Sequence, residues 1–487
     1  MGSIWRYEFR RTTLLLFFCI AIITGIGVSY WSLALQPFGL CSGAGVAMVI
    51  LTRYKFIGLL GVVIVGLVLG SWQGTKLVSR LSGYDELLDT KVSLQVSASE
   101  DAVYGKNGQL SFVAVHITNL ETGERLPGKI GVSGIGMNAI YQADEIIVEG
   151  KLREGIGAYQ GFMSYAALEL VDHHPAPVST IRRNFAAAMQ STLPEPMASF
   201  GMGILVGQRA TLPEDVKEDL QRVGLTHIIA VSGANLTIML EASRKLLGNN
   251  SKRLSTLLTL SLMAFFVLMT GGSASIIRAA YVSSFSIAAA YYGRRMRPLL
   301  IIMLVAAITG FINPIYVWGD ASWYLSFLAF YGVLMVSPLF QKRLPAIFSR
   351  SIILGVALES ICAEVMSVPY ILFTFGQMSF VGLPANVLVV ALIPLAMLLS
   401  FIAGLAGMFL SPMSGWFAWP AKFLLMYMLD TAHVLAHVPN VFNDNLSITL
   451  PGLITLYTII VVTTALLTFK DQANSGKITD KKSFDTS

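Results

Sequence analysis

Long apolar runs dominate this chain and limit what it can fold into. Residues 13–34, 298–317 and 451–469 are three of these runs, and each is about as long as the roughly 20 residues that a helix needs to cross a bilayer. Only 13% of the 487 residues are charged, whereas a typical soluble protein has about 25%. The sequence therefore predicts a polytopic α-helical membrane protein.

Basic residues predict how these runs are threaded, because Lys and Arg are enriched in cytoplasmic loops. Arg10 and Arg11 precede the first run, and further clusters follow alternate runs. This pattern gives about twelve crossings with both termini in the cytoplasm, and the run 380–411 is long enough to contain a break. The spans that we expect are 13–34, 37–52, 56–72, 227–247, 254–271, 275–292, 298–317, 322–340, 349–374, 380–411, 415–438 and 451–469.

Four regions differ in composition and define the expected domains. Residues 1–75 hold the first transmembrane helices, 76–175 form a β domain, 176–470 form the transmembrane core, and 471–487 form a polar cytoplasmic tail that we expect to be disordered. Within 56–72, the spacing of Gly66 and Gly70 predicts close contact between helices.

The region 76–175 is expected to lie outside the membrane as a small all-β unit. Five short segments alternate between apolar and polar residues, with turn residues between them, and this pattern is typical of strands. Five strands in about 80 residues fit an OB-like barrel, a fold that often binds single-stranded nucleic acid. Residues 91–172, however, contain six Lys or Arg and ten Asp or Glu. A non-specific DNA groove is basic, so a structural or gating role is an equal alternative to DNA contact.

A water-soluble helix precedes the stretch "HIIAVSGANLTI" at 227–238. Thr211 and Glu214 have the spacing of a capping box, and we expect this helix to end near Gly224. The following stretch is apolar, but it carries polar side chains and a Ser-Gly pair, which predicts a broken helix start. Transporters place their binding sites at such breaks.

Polar side chains inside apolar spans are costly and usually face a bundle interior or an aqueous path. Such positions include His227, Ser232, Asn235, Arg278, Ser326, Glu359, Glu364, Asn386 and Asp430. Simple hydrogen bonding between helices explains Ser232 and Asn235 equally well. Arg278 has the chemistry to bind phosphate, but a salt bridge to Glu359 or Glu364 is an equal alternative. Asp320 is expected to lie solvated in a loop.

The sequence predicts neither a catalytic centre nor a cofactor. Residues 123–129 resemble a phosphate loop in spacing, but Ile130 stands where a Ser or Thr must follow. His433 and His437 are four residues apart on one predicted helix face and are suited to metal binding. No third ligand is evident from the sequence, so packing is the favoured interpretation and no metal is predicted.

One stretch carries a family resemblance, together with three shorter motifs that follow it in order. "LVGQRATLPEDVKEDLQRVGLTHIIAVSGANLTIML" resembles the core signature of the ComEC competence proteins. Asn235 departs from the pattern, because the family usually has a second histidine there. The matching positions are Gly224, Leu225, His227, Ala230, Ser232, Gly233, Arg278, Ala279, Ser326, Pro369, Phe375, Gly376, Asn386 and Pro394.

The resemblance implies a channel that passes single-stranded DNA across the bacterial cytoplasmic (inner) membrane during natural transformation. Its implied partners are a cytoplasmic DNA translocation motor and DNA-binding proteins, and assembly of several copies is left open. Many members carry a C-terminal metallo-β-lactamase-like domain, and this chain has no matching histidine cluster. We therefore expect a non-enzymatic form, served by a separate nuclease or by none. The expected DNA path comprises His227, Ser232, Asn235, Arg278, Ser326, Glu364 and Asn386.

Two other classes of function remain open at this stage. A small-solute or lipid-linked transporter would use the same helix bundle, and an acidic or narrow pocket between Glu359, Glu364 and Asp430 would favour it. A membrane-embedded hydrolase is a weaker alternative, which a metal held by His433 and His437 would favour.

Overall fold

The protein is mainly helical, with one β region. The computed structural model describes residues 9–31, 56–104, 109–137, 139–173, 177–208, 211–229, 233, 235–236, 239–240, 251–294, 297–345 and 352–484. Within these residues, seven helices are long and apolar enough to cross a membrane. Their apolar spans are Arg11–Ser29, Gly58–Tyr84, Lys252–Met269, Ala321–Gln341, Leu354–Phe375, Gly382–Phe409 and Leu450–Thr468.

The helices agree with most of the predicted spans that fall in the described residues. They are α1 (Arg11–Ser29), α2 (Phe56–Leu81), α3 (Pro177–Thr192), α4 (Met197–Val206), α5 (Glu214–Arg222), α6 (Thr226–Ile229), α7 (Lys252–Met269), α8 (Ala274–Tyr291), α9 (Pro298–Ile312), α10 (Ile315–Gly319), α11 (Ala321–Tyr331), α12 (Ser337–Gln341), α13 (Ile352–Phe375), α14 (Gly382–Val389), α15 (Ile393–Phe409), α16 (Ser414–Ala436) and α17 (Leu450–Phe484). A π-helical turn covers Gly332–Val336, and 3-10 turns cover Ser82–Tyr84, Val390–Leu392 and Ser411–Met413. The expected span 37–52 lies outside the described residues.

The chain divides into two compact units, each built from separate segments. The first unit, unit 1, comprises residues 1–212, 229–324 and 397–422 and contains the β region. The second, unit 2, comprises residues 213–228, 325–396 and 423–487.

Within the described residues, the β region of unit 1 has seven strands. The strands are β1 (Lys91–Ala98), β2 (Val103–Tyr104), β3 (Leu110–Asn119), β4 (Arg125–Leu126), β5 (Ile130–Ile135), β6 (Glu145–Glu154) and β7 (Gly161–Asp172). Five of them form a closed ring, and the short strands β2 and β4 each pair only with β3. Around the ring the order is β1-β3-β5-β7-β6, and β6 pairs with β1 again. All neighbours are antiparallel except β5 and β7, which run parallel. The five predicted strands are thereby confirmed.

Alternating side chains fill the interior of this barrel. Leu94, Ile117, Ile130, Ile146 and Leu152 have no measurable solvent exposure, and they come from four of the five strands of the ring. Because strand side chains alternate between faces, the period of two in the sequence places one apolar set inside. This alternation is what made the strands recognisable from sequence.

Close backbone contact joins α1 to α2, as the Gly66 and Gly70 spacing predicts. A Cβ atom at Gly70 would lie 2.2 Å from the backbone oxygen of Ile22, and one at Gly25 would lie 2.3 Å from the oxygen of Leu67. The Ser71 hydroxyl donates a hydrogen bond to the Gly25 oxygen at 3.2 Å. Only glycine permits this approach, because the obstructing atoms are backbone.

We expect Gly70→Ala to lower the free energy of unfolding by about 3 kcal/mol, because the added methyl forces the two helices apart. Gly27→Ala is the matched control on α1, since a Cβ there meets nothing within 4 Å. Alanine favours a helix over glycine by up to about 1 kcal/mol, so this control should be neutral or stabilising. Thermal unfolding of the purified protein in detergent measures both, and equal effects would contradict the packing argument.

Three local expectations have different outcomes. The run 380–411 does contain the expected break, a 3-10 turn between α14 and α15 just before Pro394. The capping box is wrong, because α5 begins at Glu214 with Pro213 as its N-cap and no side-chain cap bond. The disordered tail is also wrong as far as Phe484, because α17 continues to that residue. Extending an existing helix requires no new nucleation.

Candidate functional site

The soluble helix α5 ends in a Schellman motif that redirects the chain toward the "HIIAVSGAN" stretch. Gly224 has φ of 74°, a left-handed conformation that glycine adopts without strain. Its N–H donates to the Gln221 oxygen at 3.0 Å, and the Leu225 N–H donates to the Leu220 oxygen at 2.7 Å. Leu220 and Leu225 are fully buried, as this motif favours. The predicted end of the helix near Gly224 is confirmed.

Two of the predicted path residues lie after this turn. His227 lies in the short helix α6, where its side chain is exposed and its Nδ1 donates to the Gly224 oxygen at 3.1 Å. Asn235 is 2% exposed, and its Nδ2 donates to the Ile204 oxygen at 3.2 Å. This amide therefore contacts α4 in the same unit. Ser232 and most of the predicted helix break lie outside the described residues.

Arg278 is the most deeply buried charged side chain of this candidate set. It lies on α8 and is 1% exposed. Its Nη2 donates to both the backbone oxygen and the hydroxyl of Ser322, each at 2.9 Å. Its Nε and Nη1 have no hydrogen-bond partner within the described residues. A salt bridge to Glu359 or Glu364, the equal alternative from the sequence, stays a prediction, because both carboxylates belong to unit 2.

Asp320 is buried, so the prediction of a solvated loop residue is wrong. It is 6% exposed and lies directly before α11. Its Oδ1 accepts a hydrogen bond from the Ser322 N–H at 2.9 Å, and its backbone oxygen accepts from the Trp323 N–H. Asp is favoured in this role because its side chain satisfies a free N–H in the first turn of a helix. The cap also fixes Ser322, the partner of Arg278.

Glu364 and Asn386 meet within unit 2. The Asn386 side-chain amide donates to Glu364 Oε2, and Asn386 is 2% exposed. The Asn386 Oδ1 and the buried Ser379 hydroxyl have no partner within the described residues. The sequence placed both Glu364 and Asn386 on the path but did not predict that they pair. Ser326, the remaining path residue, is half-buried on α11.

A polar network that the sequence did not predict attaches the barrel to helices of unit 1. Arg182 on α3 bonds through Nη2 to Asp101 Oδ2 at 2.8 Å and through Nη1 to Gln142 Oε1 at 3.3 Å. Gln142 donates its backbone N–H to Asp101 Oδ1 at 2.9 Å and its Nε2 to the Gly271 oxygen at 3.2 Å. The turn between α7 and α8 is therefore bonded to the barrel.

The loop between β6 and β7 contacts the same side of unit 1. A Cβ atom added at Gly319 would lie 3.3 Å from the Gly157 oxygen, so the two backbones touch. In this loop, burial raises the pKa of Tyr159, and the negative charges of Glu100 and Asp320 raise it further. Two barrel loops thus lie against the turn at Gly271 and the turn at Gly319.

A second unpredicted cluster occurs in unit 2. Asp219 on α5 accepts a hydrogen bond through Oδ2 from His433 Nδ1 at 2.7 Å, and its Oδ1 lies 4.0 Å from His437 Nδ1. No third ligand beside the two histidines is evident from the sequence. The structure places the Asp219 carboxylate there, although Asp219 lies 214 residues before His433 in the chain.

Comparison with known proteins places the chain in a family. The family model described as "Competence protein" matches residues 204–470, which is more than half of the chain. The chain belongs to the ComEC family of competence proteins. It is 26% identical over 290 residues to ComE operon protein 3 of Bacillus subtilis (strain 168). That alignment covers 58% of this chain and 36% of the relative, so it spans about a third of the relative's length. No solved structure matches the chain.

The matched region contains every residue predicted for the path, from His227 to Asn386. It contains the Asp219, His433 and His437 cluster as well. The barrel lies before it, outside the matched residues.

Proposed function

We propose that this competence protein forms part of a route by which single-stranded DNA crosses the bacterial cytoplasmic membrane. One observation carries the proposal: Arg278 is 1% exposed, and two of its guanidinium nitrogens have no hydrogen-bond partner among the residues that the structure describes. An idle donor in a protein interior costs about 1–3 kcal/mol, so its retention needs a reason. Guanidinium binds phosphate through paired N–H donors, and a DNA strand supplies phosphate along its whole length.

The conformation described here is a closed state of the proposed route. Asn235 and Asn386 are as deeply buried as Arg278 and are hydrogen-bonded to protein. Passage therefore requires helices to separate and these groups to exchange protein partners for water and phosphate. The net free-energy cost is low when a protein–protein hydrogen bond is replaced by a bond to water or phosphate.

The barrel supports a gating role at the outer entrance. Its five-stranded closed ring with one parallel pair fits an OB-type topology, whose loops between the first and second and between the fourth and fifth strands bind oligonucleotides. Here the corresponding loops contain Asp101 and Gly157, which contact α3 and Gly319. Because 91–172 is acidic overall, we propose that the barrel covers and positions this entrance rather than holding DNA electrostatically.

The barrel contacts also support the proposed topology of about twelve spans, with both termini inside and the barrel outside. The turns at Gly271 and Gly319 are both predicted at the outer ends of spans, and both contact the barrel. The chain would work without catalysis of its own. A cytoplasmic motor and DNA-binding proteins would pull the strand, and a separate nuclease would act on DNA.

A vesicle assay tests the proposed function. The purified protein is inserted into lipid vesicles whose interior is held electrically positive, and a labelled single-stranded oligonucleotide is added outside. We expect label to become protected from external nuclease in protein-containing vesicles, more so than with a duplex of the same sequence. Protection no greater than in protein-free vesicles would contradict the proposal.

A second function is supported by the pairing of Glu364 with Asn386. The half-buried Glu364 carboxylate repels a polyanion but suits a small cation. The Ser379 and Asn386 oxygens that have no partner within the described part of the chain are also cation ligands. Flux of a small cation or solute in the same vesicles, without DNA entry, would favour this transporter over the DNA route.

A further inference from the structure

The cluster of Asp219, His433 and His437 lies outside the proposed DNA path. Its ligand atoms, one from each side chain, lie within 4.8 Å of one another. The centroids of the two imidazole rings are 4.2 Å apart, and the ring planes are tilted by 49° to each other. Asp219 comes from α5, and the histidines come from the end of α16, so the cluster joins two elements of unit 2.

The Nδ1 atoms of both rings lie on the side of the carboxylate. His433 Nδ1 is 2.7 Å from Asp219 Oδ2, and His437 Nδ1 is 4.0 Å from Asp219 Oδ1. In this structure His433 Nδ1 donates its proton to the carboxylate, and His437 Nδ1 donates to the His433 backbone oxygen at 2.8 Å. An ion between these atoms would take the place of the two Nδ1 protons, and each neutral ring would then carry its proton on Nε2, because a metal binds the unprotonated nitrogen of a neutral imidazole.

Hydrogen bonding between α5 and α16 does not by itself account for the whole cluster. The bond from Asp219 to His433 is complete without His437, whose nearest approach to the carboxylate is 4.0 Å. Both histidine side chains are more than half exposed, at 63% and 58%, so packing does not explain their stacking either. Two adjacent imidazoles beside a carboxylate are instead the donors that zinc prefers.

We propose that Asp219, His433 and His437 bind a divalent transition-metal ion of the zinc class. Zn–N and Zn–O bonds of about 2.0–2.2 Å place ligand atoms about 3.3 Å apart in a tetrahedron. Small rotations of the two exposed histidine side chains are enough to reach that spacing from 4.8 Å. Nitrogen donors select zinc-like ions over calcium and magnesium, which take oxygen ligands.

A bound ion would connect two helices of unit 2. The cluster lies at the C-terminal end of α16, where the helix dipole favours positive charge. A bound ion would fasten α5, which precedes the Gly224 turn and His227, to this end of α16. Water or an external ligand would complete the coordination.

Metal titration of the full chain tests the site. The purified protein is stripped with a chelator and titrated with Zn²⁺ against an indicator dye, and Co²⁺ is added separately to record its absorption spectrum. We expect one tightly bound zinc per chain, a tetrahedral cobalt spectrum, and a higher midpoint of thermal unfolding with zinc. His433→Ala and His437→Ala should each weaken zinc binding by about 100-fold.

Asp219→Asn separates ligation from folding, because the amide oxygen still accepts the hydrogen bond from His433. In the absence of metal, the variant should have the same midpoint of thermal unfolding as the unsubstituted protein. Its affinity for zinc should be at least about 10-fold lower. His116→Ala is the matched control, since His116 is exposed on β3 of the barrel. Absence of zinc binding, or equal affinity in the double variant His433→Ala/His437→Ala, would overturn the assignment. Neither outcome bears on DNA entry.

Discussion

Replacing Arg278 by methionine is expected to reduce DNA entry into vesicles about 100-fold while leaving the folded protein at least as stable. The Nε and Nη1 atoms of Arg278, which have no partner within the described residues, would bind phosphate transiently. Each charged hydrogen bond contributes about 1.5–3 kcal/mol to the free energy of that binding. A loss of about 2.8 kcal/mol corresponds to a 100-fold change. Nuclease-protected label measures entry, and thermal unfolding in detergent measures stability.

A loss of DNA entry without a loss of stability distinguishes a DNA contact from a structural role. Arg278 is buried at 1% exposure, and within the described residues only its Nη2 has a hydrogen-bond partner. Methionine removes the cost of burying a charge with two unbonded nitrogens, and this offsets the lost bonds to Ser322 and the lost attraction to Asp320. If Arg278 served only to hold α8 against Ser322, methionine would lower stability and entry together.

Two further variants sharpen this test. Arg278→Lys keeps the positive charge but lacks the planar fork, so entry should still fall about 10-fold. Ser322→Ala removes one of the two acceptors of Nη2 and leaves the backbone oxygen in place. It should change entry by less than about 3-fold, because it spares the idle nitrogens. Unchanged entry in both the methionine and lysine variants would refute a DNA contact at Arg278.

Elements set by local pattern were predictable from the sequence. The five barrel strands follow from period-two alternation, and the contact of α1 with α2 follows from Gly66 and Gly70. The end of α5 follows from Gly224, because a left-handed turn selects glycine. In each case the deciding residues are neighbours in the chain, so their spacing carries the information.

Contacts between distant segments were not predictable, and they make up most of the candidate sites. Arg182 and Asp101 are 81 residues apart, and His433 and Asp219 are 214 apart. Asp320 looked like a loop residue because it separates two apolar runs, yet tertiary packing buries it. No pattern in a single sequence indicates which distant polar groups are in contact. Arg278 was therefore predicted as a path residue, but its hydrogen-bond partner Ser322 was not predicted.

Charge reversal at Arg182 is expected to reduce DNA entry about 30-fold by releasing the barrel from the helices of unit 1. Arg182→Asp would place a carboxylate against Asp101 Oδ2, which now lies 2.8 Å from the guanidinium. The two side chains are 12% and 24% exposed. Breaking a fully buried pair costs about 3–5 kcal/mol, and screening by partial exposure lowers this to about 2 kcal/mol. Gln142 would also lose its contact with Arg182, which weakens the bond to Gly271.

The swapped double variant Arg182→Asp/Asp101→Arg separates barrel docking from other consequences of the substitution. Restored attraction should return entry to within about 3-fold of the unsubstituted protein, whereas each single reversal stays low. Lys151→Asp is the matched control, because the pair of Lys151 with Asp89 lies on the same barrel with side chains 54% and 80% exposed. An exposed pair contributes about 0–1 kcal/mol, so this reversal should leave entry unchanged. Equal losses in Lys151→Asp and Arg182→Asp would mean that barrel charge matters and barrel docking does not.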